Sequence, residues 1–256
     1  MGIEMKPYYR PLSLESYAYL LKKAGEKAKV LAGGDYLLDA AEAKKGEVLI
    51  DLQALKLDQV SYKGDAVHVG GLCNLNMLML ACSGLPDLCE AIRHQAGSNV
   101  RNTLSLANFL RSGRIGQSSP LLCALIALEA KILPILETDP VSLSDYYEKD
   151  LPIPVAAELI LPRSADFRFA QVGRSEMDLP QVSMGVTLKN NKQLRVAIDA
   201  GKLFILKGTK EEVVRSITDK GATMGDQWAG VEYRQKTLLV LLERLLGESQ
   251  VRKEMK

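Results

Sequence analysis

The stretch Val30-Leu31-Ala32-Gly33-Gly34-Asp35-Tyr36-Leu37-Leu38 runs from apolar residues into two glycines and then into polar ones. Glycine carries no Cβ, so backbone N–H groups at such a turn can face outward and meet an anion closely. Lys29 to Ala32 therefore reads as a short buried strand that ends in a turn able to cradle a phosphate. Two phosphate-loop types are excluded. No Gly-Lys-Ser/Thr follows, as a Walker loop requires, and the third glycine and acidic partner of a G-x-G-x-x-G fingerprint are missing. Taken alone, a Gly-Gly pair after a strand is more often an ordinary tight turn, so these residues by themselves leave both readings open.

Before this stretch, apolar residues at Leu14, Tyr17, Ala18, Leu21 and Ala24 recur with helical spacing behind Ser13, a suitable N-cap. After it, Glu47 to Asp51 reads as a second strand, which completes a small α/β unit. Gln59 to Tyr62 and Ala66 to Gly70 flank Lys63-Gly64-Asp65 as a hairpin. Asn74 to Cys82 and Leu85 to His94 are expected to be helical, and Pro120 to Glu129 is apolar nearly all round, the signature of a helix buried on most sides. Prolines at 134, 140, 152, 154 and 162 then allow short strands but no long helix, and a domain boundary is expected near Pro162. Beyond it, Val182 to Leu188 and Gln193 to Ile198 flank the turn Asn190-Asn191, and two helices, Lys210 to Lys220 and Glu232 to Leu246, close the chain.

The bulk numbers suit a globular protein: of 256 residues, 47% are hydrophobic and 25% charged. Lys and Arg total 33 against 31 Asp and Glu, scattered along the chain, which argues against a nucleic-acid partner. No signal-peptide pattern and no apolar run long enough to cross a bilayer is evident, which predicts a cytoplasmic protein. Cys73, Cys82, Cys89 and Cys123 lack metal-ligand spacing, and the two histidines, His68 and His94, add no ligand cluster. Buried free thiols are expected instead. Arg101, Arg111 and Arg114 form a short basic cluster that suits a phosphate, an acidic partner or a solvated face. A structural role is expected of His94, and Trp228 is expected to anchor the last helix.

Taken together, several landmarks resemble the FAD-binding subunits of molybdenum hydroxylases, the flavoproteins of xanthine and carbon monoxide dehydrogenases. They are Tyr9-Arg10-Pro11-Leu12-Ser13-Leu14-Glu15, the Ala32-Gly33-Gly34-Asp35 turn, Leu49-Ile50-Asp51-Leu52, Val69-Gly70-Gly71-Leu72-Cys73, Leu85-Pro86-Asp87-Leu88, Val100-Arg101-Asn102, Phe169-Ala170-Gln171 through Arg174, and Glu232-Tyr233-Arg234. The resemblance implies an α+β fold: a two-subdomain, PCMH-type FAD-binding domain over 1–162 (subdomains 1–57 and 58–162), then a C-terminal domain of sheet and helices over 163–256. It implies FAD contacts at Leu31, Ala32, Gly33, Gly34, Asp35, Tyr36, Leu37, Asn102, Ser105, Leu106, Asn108, Ser118, Leu159 and Gln171, with no catalytic residue and no metal in this chain.

Where the family carries a second glycine turn, this chain has Ser105-Leu106-Ala107-Asn108, and the family's lysine after Phe169-Ala170 is Gln171. This pattern is closer to a branch with an eroded second loop. Ser105 is expected to offer its hydroxyl to the pyrophosphate and Asn108 to supply the left-handed backbone of a glycine. The implied role is electron transfer: electrons from iron–sulfur clusters on one partner, released at a molybdenum cofactor on another, reach FAD here and leave to an acceptor such as NAD. The rival reading of the eroded loop is a flavin-less assembly subunit of the same complex.

Overall fold

The structure, a computed structural model, describes residues 7–33, 47–112, 119–175, 178, 180–189, 192–220 and 229–254. The hairpin turn Asn190-Asn191 and Trp228 lie outside these residues.

The N-terminal unit contains strand β1 (Tyr8–Tyr9), helix α1 (Leu14–Ala24), strand β2 (Ala28–Leu31) and strand β3 (Val48–Asp51). Ser13 caps α1 by accepting the Ser16 N–H at 3.2 Å, and the helix stops at Gly25, whose φ of 54° suits only glycine at its ψ of −133°. The strands pair in parallel in the order β1-β3-β2. All three therefore present their carboxyl ends at one edge. Tyr17 from α1 packs with Val30, Ala32, Ile50 and Leu52 beneath that edge, together with Ala107 and Ile135 from the middle of the chain.

The middle of the chain opens with the hairpin β4 (Val60–Lys63) and β5 (Ala66–Gly70), turning at Gly64 with φ of 56°. Five helices follow: α2 (Leu75–Ala81), α3 (Pro86–Gln95), α4 (Ser98–Thr103), α5 (Leu106–Ser112) and α6 (Pro120–Ala127). Strands β6 (Lys131–Pro134) and β7 (Val141–Ser142), helix α7 (Leu143–Glu148) and strand β8 (Ala156–Pro162) complete an antiparallel sheet ordered β4-β5-β8-β6-β7. Helix α5 corrects the expected loop at 105–108 from Leu106 onward: Leu106, Phe109 and Leu110 recur at helical spacing and are buried in the main core, and that burial decides for helix.

The last third is the meander β9 (Phe167–Val172), β10 (Val182–Leu188), β11 (Leu194–Asp199) and β12 (Leu203–Gly208), with helices α8 (Lys210–Lys220) and α9 (Val231–Glu254). Helices α8 and α9 supply Val213, Ile217, Leu238 and Leu242 to one face of this sheet, while α6 lies on the other. Covered on both faces, β10 and β11 are buried almost throughout and show no alternation of apolar and polar residues. Every residue of α6 is buried, as its all-round apolar sequence predicted. It approaches β10 so closely that a Cβ built on Gly185 would stand 2.9 Å from the Ala127 Cβ. Thr187 donates its hydroxyl to the Ala127 carbonyl at 2.8 Å across the same contact.

Candidate functional site

A cleft of about 470 Å³ opens at the carboxyl edge of the N-terminal sheet, against the start of α2 and the end of α4. Ligands of parallel α/β units characteristically bind outside the carboxyl ends of the strands, and the volume is in the range of small-molecule sites. Each parallel strand contributes to this rim: Tyr8 lies in β1 and Arg10 just after it, Leu31 to Gly33 run off the end of β2, and Asp51 ends β3. Asn74, Asn102, Thr103 and Ser105 form the opposite wall.

Gly33 has φ of 111°, a backbone conformation L-residues rarely adopt, and a Cβ there would stand 3.1 Å from the Ser105 Cβ. Bare backbone fits here without strain, whereas a Cβ would crowd Ser105, which would have to give by about a few tenths of an ångström. The Ser105 hydroxyl donates to the Ala32 carbonyl and accepts the Asn108 N–H at 3.2 Å. The Asn108 carboxamide donates to the Gly33 carbonyl at 2.7 Å, and Arg111 Nη1 donates to the Val30 carbonyl at 3.2 Å. Ser105 and the first two turns of α5 thus bond three carbonyls around the end of β2.

Two expectations are corrected here. Ser105 already gives its only hydroxyl proton to Ala32, so it has none for a phosphate. Asn108 does not replace glycine's left-handed backbone, since it lies within right-handed α5; its side chain carries its role.

At the rim, Arg10 Nη2 stands 3.0 Å from both the Tyr8 hydroxyl and the Asp51 carboxylate. Tyr8 donates its hydroxyl proton to Asp51, whose other oxygen accepts the Gln53 N–H at 2.9 Å. The hydrogen bond to Asp51 is the main reason the Tyr8 phenol is held above its ordinary pKa, and the bond to Tyr8 is the main reason Arg10 is raised. The sequence reading quoted Arg10 and Asp51 as landmarks, but not Tyr8, and did not bring the three together. A carboxylate at the end of an apolar strand was the available signal.

Of the residues expected to meet a cofactor, Leu31, Ala32, Gly33, Asn102 and Ser105 line the cleft, and Asn108 stands behind Gly33. Leu106 and Leu159 are corrected to core positions. Both are fully buried; the Leu106 N–H is bonded to the Cys73 carbonyl, and Leu159 sits between Val69 and Ile132 in mid-sheet. Gln171 borders a different hollow of about 210 Å³, with Glu90, His94 and Arg244. Gly34, Asp35, Tyr36, Leu37 and Ser118 lie outside the described residues, as does Arg114. The other two cluster arginines bond protein acceptors: Arg101 reaches Asn76 Oδ1 and the Ala96 carbonyl, and Arg111 the Val30 carbonyl. His94 is 3.1 Å from Glu90 one turn back on α3. All four cysteines are free and buried, and burial pushes the Cys73 thiol up to about 11 and Cys82 to about 12. Among the described residues no cluster of three or more His, Cys, Asp or Glu is placed to hold a metal.

Residues 3–153 match the family model described as the FAD binding domain in molybdopterin dehydrogenase. The chain belongs to that family. Its cofactor is accordingly FAD, and it is an oxidoreductase subunit of the molybdenum-hydroxylase kind. It is 24% identical over 195 residues to the uncharacterized protein YgfM of Escherichia coli K12, spanning 76% of this chain and 74% of that one. Over 129 residues it is 32% identical to the carbon monoxide dehydrogenase medium chain of Hydrogenophaga pseudoflava, 48% of this chain and 44% of the relative. Among solved structures, carbon monoxide dehydrogenase from the same organism superposes with a TM-score of 0.76 at 22% identity, over 98% of this chain and 99% of that one. Quinoline 2-oxidoreductase from Pseudomonas putida 86 gives the same TM-score at 18% identity, over 98% and 99%. These confirm the α+β fold along nearly the whole chain. The cleft fits a dinucleotide of the FAD kind: its edge at Gly33 is bare backbone where a Cβ would crowd Ser105, and its walls carry amide and hydroxyl groups, one guanidinium paired with Asp51, and the Asp58 carboxylate. Among the described residues no helix is long and apolar enough to cross a membrane.

Proposed function

We propose that this chain is the flavin-carrying electron-transfer subunit of a heteromeric, xanthine dehydrogenase-like molybdenum hydroxylase of the cytoplasm. Its partners are an iron–sulfur subunit and a subunit holding the molybdenum cofactor, where the substrate is hydroxylated. The FAD-binding domain occupies 1–162, in subdomains 1–57 and 58–162, and the C-terminal domain 163–256. When bound, FAD supplies the redox chemistry that joins the iron–sulfur clusters to an acceptor such as NAD.

The observation that carries this reading is the Gly33 cradle at the carboxyl edge of a parallel sheet, in a chain of this family. The protein's own part is to bind and orient. Backbone at Ala32 and Gly33 would hold the pyrophosphate, Arg10 stands at the same rim with its charge paired to Asp51, and Asn74, Asn102 and Thr103 offer polar groups across the cleft. Nothing in this role asks the chain for a general acid, base or nucleophile.

The test is purification of the chain at native expression level with whatever accompanies it. The expected result is a yellow complex that releases about one FAD per copy of this chain, as a single Gly33 cradle implies, and whose other subunits contain iron and molybdenum. A colourless chain that stays colourless after incubation with FAD, in a complex of normal composition, refutes flavin carriage and favours an assembly role.

A further inference from the structure

Ser105 and Asn108 lie 73 and 75 residues from the carbonyls they hold, and both are at least 98% buried by the exposures of 2% and 1%. Ser105 lines the cleft but has no free donor, and Asn108 stands behind Gly33 and does not line it, its Oδ1 buried without a hydrogen-bond partner. The Ser105 hydroxyl has its donor on Ala32 and its acceptor on the Asn108 N–H, and the Asn108 carboxamide gives a proton to Gly33. Ser105, just before α5, and Asn108 within it bond the two carbonyls that follow β2, and Arg111 from the next turn of α5 bonds the Val30 carbonyl inside the strand.

A glycine is the residue least able to hold one conformation by itself, because it visits positive and negative φ with similar ease. Gly33 is nevertheless held at φ of 111°. Two side chains grip its own carbonyl and the one before it. A trans peptide points its C=O and N–H in opposite directions, so fixing the Ala32 carbonyl on Ser105 turns the Gly33 N–H away from α5.

We propose that Ser105 and Asn108 are positioning residues for the cofactor: they set the affinity for the pyrophosphate by locking the Gly33 turn, without touching the phosphates. This rests on the reading of the chain as an FAD carrier. Helix α5 takes over mechanically what a second glycine turn would do by direct contact. Residues that appear eroded at the level of sequence thereby acquire a role in the first turn.

The test uses the full chain and its variants Ser105→Ala, Asn108→Ala and the double. Affinities are measured for FAD and for ADP, which carries the pyrophosphate without the flavin, alongside the stability of the ligand-free protein. Each single variant is expected to weaken FAD and ADP alike by roughly tenfold, the scale of one hydrogen bond. The double variant is expected to weaken them by well under the product of the two, because both side chains restrain the same turn. Should Ser105→Ala fail to fold, Asn108→Ala carries the test, since alanine is a better helix former inside α5.

Unchanged affinities with lowered ligand-free stability overturn the proposal, because the clasp is then only a fold contact. Loss of FAD affinity with ADP unaffected overturns it too, since the turn then does not serve the pyrophosphate. A wild-type chain that binds neither FAD nor ADP refutes the flavin reading itself, and the positioning role falls with it.

Discussion

Gly33→Ala and Gly25→Ala form a matched pair that separates backbone strain from cofactor approach. Both glycines have positive φ, 111° and 54°. An alanine at either site is strained by about 1–3 kcal/mol. The surroundings differ. A Cβ at Gly25, where α1 ends, meets nothing within 4 Å, whereas one at Gly33 meets the Ser105 Cβ at 3.1 Å and Oγ at 3.3 Å on the rim of the cleft. Gly25→Ala is therefore expected to lower stability by about 1–3 kcal/mol and leave FAD affinity unchanged. Gly33→Ala adds a contact that pushes against the clasp and a methyl group where bare backbone stands. Its stability loss should exceed that of Gly25→Ala, and its FAD dissociation constant should rise by a factor on the order of 10 to 100, or about 1.4–2.8 kcal/mol. Urea unfolding of the ligand-free variants gives the first quantity, and quenching of flavin fluorescence on titration gives the second. Equal FAD affinity in the two variants refutes the assignment of Gly33 to the cofactor cradle.

Three further outcomes follow from the structure. Removing the carboxylate with Asp51→Asn should bring the Tyr8 phenol down toward its ordinary value near 10, read by ultraviolet titration. Because the folded-state pKa of Tyr8 is raised, its bond to Asp51 contributes stability below the unfolded pKa and loses it as pH rises through the folded one, so the variant's deficit should fade at alkaline pH; a deficit constant through the phenol titration contradicts this. Thiol reagents at pH 8 should leave Cys73 and Cys82 unmodified until the chain unfolds, because their pKa values of about 11 and about 12 keep the thiolate scarce and burial keeps it covered. Rapid modification of either in the folded protein contradicts the packing. Gly185→Ala should cost about 1–3 kcal/mol by overpacking α6 against β10, and Ala127→Gly should return part of that in the double variant; additive losses in urea unfolding would show that the two positions do not meet.

Local pattern alone determined the parts of this protein whose physics is local. Ser13 before an amphipathic run gives a capped helix, Gly64 between two alternating runs gives a hairpin, and eight consecutive buried positions follow from an apolar run after Pro120. The strand and glycine at 28–33 were legible for the same reason: a missing Cβ is visible in the letters. Expected strand boundaries at 59 and 193 moved by one residue to Val60 and Leu194, because pairing partners and not propensity set the ends.

Only the tertiary structure decided what the residues at 105–111 do. Read against a glycine pattern they looked like a damaged loop, yet burial of Leu106, Phe109 and Leu110 makes them a helix, and the partners of its polar face are carbonyls more than 70 residues away. Leu159 likewise lies in a strand flanked by prolines, and which of its faces turns inward depends on Val69 and Ile132 beside it. Arg10, Tyr8 and Asp51 meet only because β1 pairs with β3 in parallel, which carries two distant strand ends to one edge. Periodicity records which neighbours along the chain share a face. It holds no term for a side chain that bonds another element: the clasp on Gly33 joins side chains to distant carbonyls, and the rim of the cleft joins Arg10 and Tyr8 to the Asp51 carboxylate.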